Sequence, residues 1–103
     1  MAYILRFTQE YQPAHHRAVL ELEAQFKELE RRQPDFPQGR RYQPLASGEA
    51  THSLIWESEF ASLADLQKAL EKIETHPKHT ELLAKQSPFF TTMRTEIFKT
   101  LDL

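Results

Sequence analysis

Cysteine is absent from this 103-residue chain, which excludes disulfides, thiolate nucleophiles and thiolate metal sites. A small fold without such staples is at home in a reducing compartment, so a cytoplasmic location is expected. Also missing is any uninterrupted apolar stretch of membrane-spanning length, and the opening MAYILRFTQEY lacks the basic segment and apolar run of a secretory leader. No membrane partner is expected. Charge of one sign is scarce as well: the formal net charge is -2, and basic residues alternate with acidic ones instead of forming a stripe. Without a positive field, nucleic acid is not an expected partner. No nucleotide, metal or nucleophile signature stands out, and no cofactor is expected.

What is present is enough apolar material, 40% of the residues, for one domain spanning 1–103 with one core. The segment HSLIWESEF (residues 52–60) alternates with period two. It leads into Leu63, Leu66, Leu70 and Ile73, whose spacings of 3, 4 and 3 mark a helix. Ser62 and Asp65 form a capping-box-like pair at its start. Residues 2–10 also alternate, and a helix from Pro13 to about Gln33 carries Val19, Leu22, Phe26 and Leu29 at the same 3, 4, 3 spacing. Arg40–Ala46 reads as a weaker strand that Pro44 confines to a sheet edge. Thr75, His76 and Pro77 break the second helix, which restarts through Lys85, and Met93–Leu101 reads as the last strand.

The order strand, helix, strand, strand, helix, strand predicts an α+β fold, the ferredoxin-like βαββαβ plait, with an antiparallel sheet in the order 4-1-3-2. By parity Leu5, Phe7, Leu54, Trp56 and Phe60 meet the helices, while Ile4, Arg6, Ile55, Glu57 and Glu59 share the uncovered face. That face mixes isoleucines with charges, which suits pairing with a second copy in a homodimer that encloses a cavity between its two sheets.

The candidate chemistry follows from this placement. Glu57 and Glu59 share one face about 7 Å apart, a separation suited to paired acid and base work, with Arg6 as a cross-strand neighbour. The competing reading is an intersubunit ion-pair network. Tyr42 and Trp56 suit a pocket for a flat apolar ligand, although Trp56 also shares parity with the core residues Leu54 and Phe60. His76 and His79 stand at a spacing that allows shared metal ligation or, for His79, a haem-facing role, but no third ligand is apparent and no metal site is expected. His76 suits an N-cap. His15 and His16 are expected to be exposed, Arg40 and Arg41 to be solvated, and Phe89 and Phe90 to pin the second helix to the sheet or to a partner.

The run SLIWESEFASLADLQKALEKIE, the HPKH break and the closing TEIFKTL resemble the dimeric α/β-barrel superfamily, in particular its NIPSNAP-like and antibiotic-biosynthesis-monooxygenase-like families. The likeness spans nearly the whole chain as an order of elements, and it implies the plait and a homodimer. The superfamily includes cofactor-independent monooxygenases of polycyclic phenols, haem-degrading enzymes and members without an assigned activity. This chain has no asparagine, where those enzymes are expected to use one on the first strand, and Trp56 falls on a strand instead of the second helix. Three functions follow as expectations: a dimer binding a small, mainly apolar molecule; a cofactor-independent monooxygenase in which Glu57 or His79 deprotonates a phenol; and a structural or regulatory dimer.

Overall fold

A computed structural model describes all residues, Met1–Leu103. Its elements are β1 (Tyr3–Tyr11), α1 (His16–Arg32), β2 (Arg40–Tyr42), β3 (Ser53–Phe60), α2 (Leu63–Thr75), α3 (Pro77–Gln86) and β4 (Phe90–Lys99), with single 3₁₀ turns before α1 and before β4. The sheet has the order β2-β3-β1-β4 and every pairing is antiparallel, which is the plait read from the sequence. No helix is long and apolar enough to cross a membrane.

The register fixes which side chains share a face. Leu5 lies opposite Ser58, Phe7 opposite Trp56 and Gln9 opposite Leu54, so these residues point together toward the helices. Arg6 lies opposite Glu57 and Ile4 opposite Glu59, which places the predicted second set on the open face. On β4 the same register puts Glu96 and Phe98 on the open face and Met93, Thr95 and Ile97 on the helix side. Met93 and Ile97 remain about half exposed, because α2 lies over β1 and β3 and leaves β4 uncovered.

The helix ends obey local chemistry. The Ser62 hydroxyl accepts a hydrogen bond from the Asp65 amide at 3.1 Å, the expected cap. Pro77 starts α3, where its missing N–H costs nothing, and His76 caps that start through Nδ1, which accepts from the amides of Lys78 and His79.

Several sequence expectations are corrected. β2 ends at Tyr42, because the chain turns away before Pro44, whose ring nitrogen has no hydrogen to offer a ladder. β4 begins at Phe90, ahead of the expected Met93, and stops at Lys99. Phe89 and Phe90 pack with Tyr11, Val19 and Leu54, beneath α1 and not α2. His16 is half-buried, its Nδ1 2.6 Å from the Tyr11 hydroxyl.

The core forms two separate clusters. One holds Leu5, Leu29, Phe36, Trp56, Leu66 and Ile73. The other holds Tyr11, Val19 and Leu54. Along β1 the helix-facing residues between Leu5 and Tyr11 are Phe7 and Gln9. Along α1 those between Val19 and Leu29 include Glu23 and Phe26. All four line an open space instead of filling it.

Candidate functional site: a cleft between helices and sheet

That space is a cavity of about 440 Å³ between the helix side of the sheet and the three helices. Its floor is Phe7, Gln9 and Trp56 with Met93 and Thr95 of the uncovered strand, and its roof is Phe26, Leu70, Ile73, His79 and Leu83. Phe7 and Trp56 stack with ring centroids 5.1 Å apart, giving the floor a continuous aromatic surface. A volume in this range suits a small organic molecule.

One wall is charged. Arg41, on the short edge strand, reaches across to α1, where Nε donates to Glu23 at 2.8 Å and both terminal nitrogens donate to the Glu30 carboxylate. Glu30 also accepts from the Gly39 amide at 2.8 Å and the Trp56 indole N–H at 3.2 Å. Gln86 completes the group by donating to Glu23 and to the Val19 carbonyl, both at 3.1 Å. Glu23 and Glu30 are buried. Burial works against the charge on Arg41, but the hydrogen bonds and charges of Glu30 and Glu23 outweigh it and hold its pKa above the ordinary value. The arginine expected to be solvated is thus the bolt between β2 and α1. Gly39 is required beside it, since a Cβ there would lie 1.9 Å from the indole nitrogen of Trp56.

His79 adds a titratable ring to the roof. Its ring packs against Phe26 at 4.9 Å and Phe36 at 6.0 Å between centroids. Burial, and secondarily the nearby His76, lower its pKa to about 4 against the opposing pull of Glu30. The imidazole is neutral at physiological pH.

The sequence candidates divide between the two sides of the sheet. Trp56 and His79 meet in the cleft. Arg6, Tyr42, Glu57 and Glu59 do not: the last three border a smaller and more polar groove of about 330 Å³ on the open face, and Arg6 bonds Glu57 there at 2.6 Å. Arg6 also lies 4.6 Å from the centroid of the Phe98 ring, a cation–π contact. His76 enters neither space, because one ring nitrogen caps α3 and the other meets Gln33 at 3.1 Å. No three of the chain's His, Asp and Glu side chains are grouped to hold a metal ion.

Glu23, Glu30 and Gln86 were not singled out from the sequence. The signal was present for two of them: Glu23 and Glu30 stand three before and four after Phe26, within the apolar stripe of α1 and not on its solvated back.

No known family profile matches the sequence, and no curated protein does. Solved structures do. A NIPSNAP family protein from Agrobacterium tumefaciens superimposes with a TM-score of 0.75 at 12% identity, covering 99% of this chain and 95% of that one. An uncharacterised NIPSNAP-like domain protein from Burkholderia xenovorans gives 0.75 at 11%, covering 97% and 85%. A protein assigned as an antibiotic biosynthesis monooxygenase from Nitrosomonas europaea gives 0.69 at 13%, covering 97% and 90%. The chain has the NIPSNAP-like fold. Identities this low carry the NIPSNAP-like architecture over and leave chemistry to the residues of the cleft.

Proposed function

We propose that this protein is a homodimer that binds a small, mainly apolar molecule in the cleft of each protomer. One observation carries the reading: an aromatic-floored cavity of about 440 Å³ persists between two parts of a core that otherwise packs closely. Trp56, the chain's one tryptophan, lies on the floor and reports occupancy. Titration with a neutral flat molecule such as naphthylmethanol should shift or quench Trp56 emission with saturation below millimolar concentration. An unchanged spectrum through that range would refute ligand binding in the cleft.

The homodimer rests on the open face, where Ile4, Ile55 and Phe98 lie among Arg6, Glu57 and Glu96 on the side of the sheet away from the helices. Glu57 and Glu59 belong to that interface in this reading, as ion-pair partners and not as acid and base.

A second reading, oxygenation of a phenol without a cofactor, is favoured by His79. A neutral imidazole facing the cavity can accept a hydrogen bond from a phenolic hydroxyl and so orient the ring, although a pKa of about 4 makes it a weak base for removing that proton. Oxygen uptake with hydroquinone-like substrates that disappears in His79→Leu supports it; uptake that survives the substitution removes His79 from that role.

A further inference from the structure

The cleft is acidic as well as aromatic. Its lining contains three carboxylates, Glu23, Glu30 and Glu74, against one guanidinium, Arg41, and no lysine. His79 faces the same space uncharged and offsets nothing. Arg41 is also committed: Nε serves Glu23 and both terminal nitrogens serve Glu30. An incoming carboxylate or phosphate would have to displace one of two built-in carboxylates and would meet the other at close range. Glu23 and Glu30 are themselves buried, so at that wall of the cleft the repulsion is less screened than at an open surface. A cation meets the opposite conditions. Glu74 on α2 is exposed at the cleft and reachable, and the aromatic rings of Phe7, Phe26, Phe36 and Trp56 line the same space, where an ammonium or an aromatic cation can pack against them.

We infer that the cleft selects an organic cation: an apolar aromatic or alkyl body bearing a protonated amine or quaternary ammonium, in preference to neutral or anionic molecules of the same shape. The inference rests on the cleft being a ligand site and names the class of ligand. It also sets the cleft against holding a phenolate, the species the oxygenase reading needs.

Three naphthalenes of matched size, the methylamine, the methanol and the carboxylic acid, separate the alternatives by calorimetric titration at neutral pH. The amine should bind about tenfold or more tighter than the alcohol, and the acid should bind more weakly than both. Glu74→Gln, at an exposed helix position, should reduce amine affinity about threefold or more and leave the alcohol unchanged. Thr95→Lys, at an exposed position of β4 lining the cleft, should abolish the preference for the amine. Equal binding of amine and alcohol, or tighter binding of the acid, overturns the cation inference while leaving an apolar site in place. An amine preference that neither substitution changes places the cation outside the cleft and overturns it too. Binding of none of the three removes the ligand site itself.

Discussion

Arg41 has the largest structural consequence of any single side chain described above. Only 17% of its side chain is exposed, and it answers two buried carboxylates at once. Arg41→Met keeps much of the volume and leaves Glu23 and Glu30 without a counter-charge, which should cost roughly 3–5 kcal/mol of stability in urea unfolding. Arg41→Lys keeps the charge but loses the fork and should fall between.

His79 gives a signed pH dependence. Its pKa is 6.5 in the unfolded reference and about 4 in the fold, so between those values the unfolded chain binds the extra proton. Stability therefore begins to fall as pH drops below 6.5 and this contribution is complete near pH 4. His79→Leu removes the group, and its stability profile should be flatter than the parent's in that window. Parallel profiles would show that the imidazole is not desolvated. The residue scale is also where the sequence was least legible. Arg41 next to Arg40 reads as surface charge, because nothing local records that a strand only three residues long will point one of the pair at α1.

At the scale of elements, the break between α2 and α3 is the most legible feature. A histidine followed by proline fixes both the end of one helix and the start of the next, and the structure uses His76 as the cap of the second. His76→Ala removes two accepted amide hydrogen bonds and the link to Gln33. It should lower stability by about 1 kcal/mol, read as a shift in denaturation midpoint without a change of slope. His76→Asn, which can cap as well, should recover most of the loss.

Strands with clean alternation were equally readable: β1 and β3 place every residue of the predicted parity on the predicted side. The cleft was not readable. Periodicity tells which face of α1 turns inward but not how far the helix stands from the sheet. Here one core cluster, with Leu29 and Phe36, and a second, with Val19 and Tyr11, lie at the two ends of the layer, and the cleft lies between them. The length of β2 was missed for a related reason, since a three-residue strand carries too little alternation to mark its own end.

At the scale of the whole molecule, the open face sets the assembly expected of the chain. Sedimentation at micromolar concentration should give twice the mass of one chain. Glu57→Lys places a second cation against Arg6, which now pairs with Glu57, and should weaken self-association at least tenfold with an unchanged circular dichroism spectrum. A parent chain that sediments as a single copy at these concentrations contradicts the proposed assembly.

The cleft and the open face lie on opposite sides of one sheet, as Phe7 and its neighbour Arg6 show by pointing to different sides of β1. Self-association through the one neither blocks nor completes the other. Saturation should therefore reach one molecule per chain along a simple hyperbola, with a midpoint that does not move on dilution.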